Sequence, residues 1–220
     1  MKRCLVINPN TSAGVTDMVV AACRRAQPDV QWQGATARFG AAYISDEEAY
    51  AKAGPAVADA YDAFFDGHDV ALLACFGDPG LQALQDRARV PVIALALSSF
   101  QAAARRGKFA VVTGGHAWAP MLARFARQHE LDASLVGIHT IDWTGAQIAA
   151  DPDAARDALV AAAQRGIDDG AECILLGGAA LTGLAPSLQP HLAVPVLDNV
   201  LLAAQAVVDV LALADKARPA

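Results

Sequence analysis

Two stretches of the chain repeat the same order of features about a hundred residues apart. One reads VALLACFGDPGLQALQDRARVPVIAL over Val70–Leu95, and the other reads CILLGGAALTGLAPSLQPHLAVPVLD over Cys173–Asp198. Each contains an apolar run, a turn of small residues, a helical stretch, and then Val-Pro-Val with a second apolar run. Three pairs of matching residues lie 103, 104 and 105 positions apart: Cys75 and Gly178, Pro91 and Pro195, and Asn8 and Thr113. This agreement favours a duplicated α/β lobe over a chance similarity between two βα units.

Short apolar runs alternate along the chain with longer alanine-rich stretches of helical character. Strands that are apolar throughout and joined by helices predict a parallel sheet covered on both faces. Hydrophobic residues make up 55% of the chain and charged residues 18%, which excludes a disordered protein. The candidate strands are Arg3–Ile7, Gln31–Ala37, Val70–Ala74, Val92–Ala96, Phe109–Val112, Leu135–His139, Cys173–Leu176 and Val196–Leu197.

Several helix starts are also recognisable. Thr11 and Ser12 can cap a helix that runs through Arg25, because side-chain hydroxyls accept hydrogen bonds from free amides at a helix N-terminus. Ser45 precedes three acidic residues that suit the positive end of a helix dipole. Asp151 and Pro152 open another helix, with proline in its first turn.

We expect two α/β lobes, one formed by residues 1–98 with 205–220 and the other by residues 99–204. Two parallel sheets that face each other present the carboxyl ends of their strands to a shared cleft, where α/β proteins normally bind ligands. The turns expected at that edge are Asn8–Ser12, Ala74–Gly80, Thr113–His116 and Gly177–Leu181.

Composition argues against several classes of partner. Seventeen basic and twenty-three acidic residues, with no run of Lys or Arg, do not suit a nucleic-acid surface. Proline, glycine or charge interrupts each apolar stretch well before 18 residues, and the N-terminal run is too short for a signal sequence, so no membrane span is expected. Four scattered cysteines suit neither a disulfide framework nor a structural metal site, and a cytoplasmic location is expected.

Cys75 is the best candidate for chemistry. It follows a candidate strand and precedes a turn rich in glycine and proline, next to a helix N-terminus. Free amides and the helix dipole at such a place favour a thiolate and can bind an anion. The alternative is a buried cysteine that acts as a small apolar residue. That alternative is preferred for Cys4, Cys23 and Cys173, which fall inside strands or a helix.

Two other turns carry polar side chains. The segment Asn8–Ser12 can hydrogen-bond a carboxylate or an imide oxygen, or it can be an Asx turn with a helix cap. It has no phosphate-loop motif, and no GxGxxG follows the first strand, so nucleotide binding has no support. In the second half, His116 is either an acid/base group or a solvated helix cap. Asp78 could orient the thiol or cap its own helix, and Asp198-Asn199 suits capping of the last helix.

The motifs INPNTS (Ile7–Ser12), ACFGDPGL (Ala74–Leu81), LLGGAAL (Leu175–Leu181) and PVLDN (Pro195–Asn199) resemble the aspartate/glutamate/hydantoin racemase superfamily. The hydantoin and allantoin racemases are the most similar branch, and the resemblance extends over essentially the whole chain. It implies two α/β lobes related by a pseudo-twofold axis, with the site in the cleft between them.

The resemblance also implies an enzyme without a cofactor, in which two cysteines work on opposite faces of the substrate. One thiolate removes the α-proton and the other thiol returns a proton from the far side, while hydrogen-bond donors stabilise the enolate oxygens. By position, Cys75 matches the first family cysteine and Thr113 a family threonine, whereas Gly114 stands where a second hydroxyl residue is common. The implied substrate contacts are Asn8, Asn10, Thr11, Ser12, Phe76, Gly77, Thr113, Gly114, His116, Gly178 and Ala179.

The second family cysteine falls on Gly178, which has no side chain to donate a proton. Three outcomes follow from this departure. Another group, such as His116 or a bound water, replaces the second thiol. Alternatively, the chain resembles the arylmalonate decarboxylases, which work with one cysteine, although that branch keeps its cysteine in the second half. Finally, Cys75 acts as a nucleophile, as in the related maleate isomerases, or the protein binds a ligand without turnover.

The resulting hypothesis is a cofactor-independent racemase or isomerase that moves a proton at a carbon α to a carbonyl. Cys75 is its acid/base, and its substrate is a small anionic or imide compound of the hydantoin, amino-acid or carboxylate type. The alternatives are a single-cysteine decarboxylase and a non-catalytic small-molecule binding protein. Alanine-rich amphipathic helices suit a homo-oligomer and equally suit packing between lobes.

Overall fold

The computed structural model describes residues 1–216, and of Ala149 it describes the backbone only. These residues form two compact units. The first unit comprises Met1–Ile44, Glu48–Ser98 and the segment that begins at Val200, and the second comprises Ser45–Glu47 and Ser99–Asn199. In chain order the strands and α-helices are β1 (Lys2–Asn8), α1 (Ala13–Ala26), β2 (Val30–Thr36), α2 (Glu47–Phe64), β3 (Val70–Leu73), α3 (Leu81–Arg87), β4 (Val92–Ala94), α4 (Leu95–Ala104), β5 (Phe109–Gly114), α5 (Trp118–Gln128), β6 (Leu135–Ile141), α6 (Gly145–Ala150), α7 (Pro152–Asp168), β7 (Cys173–Leu176), α8 (Ala185–Leu188), β8 (Val196–Asp198) and α9 (Asn199–Lys216).

Each unit contains a four-stranded sheet in which all neighbouring strands are parallel. The order is β2-β1-β3-β4 in the first unit and β6-β5-β7-β8 in the second, so both units connect their strands in the same way. This arrangement confirms the predicted α/β class, with two similar lobes that are each built on a parallel sheet flanked by helices.

The apolar character of the strands follows from burial on both faces of each sheet. Successive side chains of a strand point to opposite faces, yet Cys4, Leu5, Val6 and Ile7 of β1 are all fully buried. The residues of β3 and the first four residues of β5 are likewise completely inaccessible to solvent. Helices therefore cover both faces, and Cys4, Cys23 and Cys173 are packing residues inside β1, α1 and β7.

The predicted strands are all present, with small differences at their ends. One difference changes the type of element: Val92–Ala96 was expected as one strand, whereas β4 ends at Ala94 and α4 begins at Leu95. An uninterrupted apolar run does not distinguish a strand from the start of a buried helix. The change occurs here because a distant carboxylate, that of Asp78, binds the amides of Ala96 and Leu97.

The predicted helix starts are present as well. Ser12 caps α1 by accepting a hydrogen bond from the amide of Val15, and Asp151 caps α7 from the amide of Ala154, with Pro152 as the first helical residue. The acidic segment that follows Ser45 leads into α2, which begins at Glu47. Among residues 1–216, no helix combines the length and the hydropathy that crossing a bilayer requires.

Candidate active site

Cys75 lies in a loop at the carboxyl edge of the first sheet. We call residues Cys75–Gly80 the Cys75 loop; it connects β3 to α3. Strand β3 pairs with β1, so the segment Asn8–Ser12, which follows β1, leaves the sheet at the same edge. Of the four cysteines, Cys75 is the one outside a strand or helix, and it is 8% exposed where the others are at most 1%. Cys75 therefore lies in the strand-end loop that the sequence predicted, with its side chain buried.

The backbone of the Cys75 loop is held in an uncommon conformation. Gly77 and Gly80 have φ values of 101° and 76°, and Asp78, an L-residue, has a φ of 51°. The amide of Asp78 donates to the carbonyl of Cys75 at 3.1 Å, which closes a tight turn directly after the thiol residue. A non-glycine residue with positive φ persists only where surrounding contacts fix it, and such positions concentrate at functional sites.

The side chain of Asp78 connects this loop to α4. Its Oδ1 accepts from the amide of Ala96 at 2.9 Å and its Oδ2 from the amide of Leu97 at 2.7 Å, so both oxygens bind the first turn of α4. The sequence suggested that Asp78 orients the thiol or caps its own helix. The second suggestion is wrong, because α3 has Gly80 at its N-cap without a side-chain bond, and Asp78 caps α4 instead.

Burial controls the protonation of both groups. It raises the pKa of the Asp78 carboxyl to about 7, although hydrogen bonds from the backbone of α4 favour the charged form. Burial also raises the pKa of the Cys75 thiol far above its usual value, and the nearby Asp78 charge raises it further. The prediction that the helix N-terminus favours a thiolate is therefore wrong for the free chain. Helix α3 begins six residues after Cys75, and burial keeps the Cys75 thiol protonated.

The segment Asn8–Ser12 is an Asx turn that also caps a helix. The side-chain nitrogen Nδ2 of Asn8 lies within hydrogen-bond distance of Asn10 Oδ1, Ser12 O and Thr16 Oγ1, at 2.9 to 3.0 Å. The side-chain oxygen of Asn10 also accepts from the amide of Ser12. Both asparagine side chains are buried and are used inside the loop. The hydroxyl-bearing Thr11 and Ser12 are the more exposed members of this segment.

The equivalent edge of the second unit brings Thr113 and Gly178 together. A Cβ atom built on Gly178 would lie 3.9 Å from Thr113 Oγ1 and 3.7 Å from Leu181 Cδ1, which is ordinary contact. However, Gly178 has a φ of 114°, a conformation that L-residues rarely adopt. At Gly114 a Cβ atom would lie 2.4 Å from the carbonyl oxygen of Trp143, so this position admits no side chain.

His116 precedes α5 by two residues and is exposed to solvent. Its Nδ1 lies 2.7 Å from Thr140 Oγ1 and its Nε2 lies 3.8 Å from a carboxylate oxygen of Asp142. It is not a helix cap, because the N-cap of α5 is Ala117, without a side-chain bond.

The remaining predicted residues of the second unit lie after β7 and β8. Ala179 begins a 3₁₀ turn, Ala179–Leu181. Asp198 accepts from the amide of Gly183 at 2.6 Å, and α9 begins at Asn199 as expected.

Helix α2 contacts the Cys75 loop, a contact that the sequence analysis did not predict. The hydroxyl of Tyr50 donates to the carbonyl of Gly77 at 2.6 Å, and Gly54 packs backbone to backbone against Gly80. The one available signal was the Gly54-Pro55 pair inside an alanine-rich helix, since glycine in a helix often marks a close approach.

Within the part of the chain that the structure describes, no three His, Cys, Asp or Glu side chains are grouped to hold a metal ion.

Comparison with known proteins shows the family to which the chain belongs. A sequence model of the Asp/Glu/hydantoin racemase family matches residues 4–207. The chain belongs to this family. A hydantoin racemase of Pseudomonas sp. (strain NS671) is 31% identical over 199 residues, which cover 89% of this chain and 80% of that protein.

Solved structures of racemases have the same fold. An allantoin racemase from Pseudomonas fluorescens is 27% identical with a TM-score of 0.93, and the match covers 96% of this chain and 92% of that one. An allantoin racemase from Klebsiella pneumoniae is 29% identical with a TM-score of 0.91, covering 97% and 89%. These similarities identify the present chain as an enzyme of the isomerase class, a member of the racemase family.

We predict that Gly80→Ala destabilises this racemase-family chain. The new Cβ would lie 2.8 Å from Gly54 Cα, and the φ of 76° disfavours any L-residue. The expected loss in the free energy of unfolding is on the order of 2–4 kcal/mol. Gly54→Ala is the matched control, because its Cβ would lie 3.6 Å from Gly80 Cα. Urea unfolding measures both, and equal stabilities for the two variants would contradict the close approach.

We also predict that Asp78 makes the stability of the chain fall as pH rises from about 4 to about 7. In this window the folded carboxyl keeps its proton while the unfolded one loses it, so unfolding releases a proton and rising pH favours it. Relative to Asp78→Asn, the wild type should lose stability on the order of 2–4 kcal/mol across the window. Urea unfolding at several pH values measures the difference, and parallel curves for the two proteins would contradict a raised pKa.

Proposed function

We propose that this chain moves a proton at a carbon α to a carbonyl of a small substrate of the hydantoin, amino-acid or carboxylate type, with Cys75 as the acid/base. The observation that carries the proposal is the placement of Cys75, the one cysteine in a strand-end loop with fixed, uncommon backbone geometry. The similarity to proteins named hydantoin racemase and allantoin racemase supports the substrate class.

The chemistry needs an acid and a base for the two faces of one carbon. A base takes the α-proton, the electron pair of the C–H bond moves into the carbonyl, and a planar enolate forms. An acid then returns a proton to the same carbon from the other face. Because Cys75 is protonated in the free chain, its thiol can donate this proton as the acid. The resulting thiolate then acts as the base that removes the α-proton when the reaction runs in the opposite direction.

Hydrogen-bond donors beside the thiol would stabilise the enolate oxygen. We assign this role to the backbone amides of Phe76 and Gly77, with Thr11 and Ser12 as further contacts for a carboxylate or imide. Asn8 and Asn10 hold the loop that carries these hydroxyls. In the second unit, we propose Thr113 and the amides of Gly178 and Ala179 as substrate contacts.

The acid or base that acts on the second face of the substrate carbon is not a thiol at position 178, because this residue is glycine. We propose that His116 or a bound water takes this role if the enzyme racemises its substrate. The hydrogen bond between His116 and Thr140, together with the neighbouring Asp142, would orient the His116 imidazole.

One-face chemistry is the second candidate, and two observations favour it. Gly178 supplies no second acid/base side chain, and Cys75 is held as a thiol. In a decarboxylase of α-substituted malonates, the C–C bond to one carboxylate breaks and CO₂ leaves. The electron pair of that bond stays with the α-carbon and forms an enediolate with the remaining carboxylate. The Cys75 thiol then donates its proton to the carbon on one face, and the thiolate regains a proton from water.

The proposal predicts that Cys75→Ser lowers the rate of deuterium entry at the α-carbon by about 100-fold or more, because general acid–base catalysis supplies a factor of that order. The measurement is proton NMR in D₂O with hydantoins, amino acids and α-substituted malonates as substrates. Cys173→Ala, which removes a thiol buried in β7, is the matched control and should retain the wild-type rate.

The products separate the two candidates. Racemisation gives both enantiomers with deuterium at the α-carbon, whereas decarboxylation releases CO₂ and gives one enantiomer. Equal rates for the wild type and Cys75→Ser, or no exchange and no CO₂ with any substrate of the panel, would reject catalysis by Cys75 on these substrates.

A further inference from the structure

Helix α2 holds the Cys75 loop through two residues on one of its faces. The hydroxyl of Tyr50 donates to the carbonyl of Gly77 at 2.6 Å, in a partly buried position. Four residues later, one helical turn along, Gly54 contacts Gly80 so closely that a Cβ on Gly80 would lie 2.8 Å from Gly54 Cα. The two contacts join α2 to the middle and to the end of the loop.

The hydrogen bond from Tyr50 acts on one particular peptide group. The carbonyl of Gly77 and the amide of Asp78 belong to the same planar unit. The carbonyl accepts from Tyr50 and the amide donates to the carbonyl of Cys75 at 3.1 Å, so both ends of this peptide are bound. Its orientation determines ψ of Gly77 and φ of Asp78, and the φ of 51° at Asp78 is the less favourable choice for an L-residue.

Without the bond to Tyr50, rotation of this peptide would relieve the strain at Asp78. That rotation would also break the hydrogen bond from the Asp78 amide to the Cys75 carbonyl. It would displace the Asp78 carboxylate from the amides of Ala96 and Leu97 as well. The contacts that place the thiol therefore depend on the Gly77–Asp78 peptide, and that peptide is held from outside the loop by the Tyr50 hydroxyl.

We propose that Tyr50 is a positioning residue for the Cys75 thiol, acting through the Gly77–Asp78 peptide. Its effect on turnover rests on the proposed function of Cys75, whereas its effect on the loop does not. The Gly77–Asp78 peptide lies two residues after Cys75 and is hydrogen-bonded to the Cys75 carbonyl, so Tyr50 influences the position of the thiol through this peptide.

The test is Tyr50→Phe, which removes one hydroxyl, with Tyr61→Phe as the matched control. Tyr61 lies on the same helix and its hydroxyl also bonds a backbone group, accepting from the amide of Arg89 at 2.9 Å, away from the Cys75 loop. The first readout is the rate at which iodoacetamide alkylates Cys75 in the folded protein, followed by peptide mass spectrometry. The second readout is the kcat and the KM of the proton transfer.

Tyr50→Phe should make alkylation of Cys75 several times faster, because the released loop exposes the buried thiol more often. It should lower kcat by about tenfold and change KM by less than about twofold, since misplacement of an acid/base group acts on the chemical step. Tyr61→Phe should leave both readouts at wild-type values while it shifts the urea midpoint as much as Tyr50→Phe does.

Equal alkylation rates of Cys75 in the two variants would overturn the proposal, whatever their activities. Faster alkylation in Tyr50→Phe alone, with no turnover even by the wild type, would support the positioning role and reject the proposed function. A loss of kcat that is the same in both variants would also overturn the proposal, because it would reflect general loosening of α2.

Discussion

A buried carboxylate holds together the part of the molecule where chemistry is expected. Both oxygens of Asp78 bind amides in the first turn of α4, and its backbone closes the turn that follows Cys75. These bonds satisfy amides that a helix start leaves without a partner, and the helix dipole favours the negative charge. One side chain thus determines where β4 ends, where α4 begins and how the thiol loop is shaped, and its charge adds to the burial that raises the pKa of the neighbouring thiol.

The two units have the same strand order but present different chemistry at matching loops. After β3 the first unit presents a thiol, next to an Asx turn in which Asn8 and Asn10 bind each other. After β7 the second unit presents Gly178, beside the hydroxyl of Thr113. A duplicated scaffold therefore carries different side chains at its two matching loops, a thiol in one unit and none at the equivalent position of the other.

The sequence predicted the parallel sheets and the Cys75 loop because these depend on local patterns: apolar runs, small-residue turns and the repeat of both. It did not predict that Asp78 would cap α4 or that Tyr50 would bond Gly77. These contacts join residues 18 and 27 positions apart, and they depend on how helices pack against the loop. The protonated state of Cys75 was missed for the same reason, since turn composition indicates neighbouring amides but does not measure burial.

Gly178 has an evolutionary consequence. The space beside it would admit a β-carbon, but its φ of 114° would not favour one. Two of the four glycine codons are one nucleotide change away from a cysteine codon, yet cysteine at position 178 would place the thiol on a backbone suited to glycine. Descendants of this chain would need to remodel the loop after β7 before a second thiol could function there. The backbone therefore makes the asymmetry between the two units difficult to reverse by single mutations.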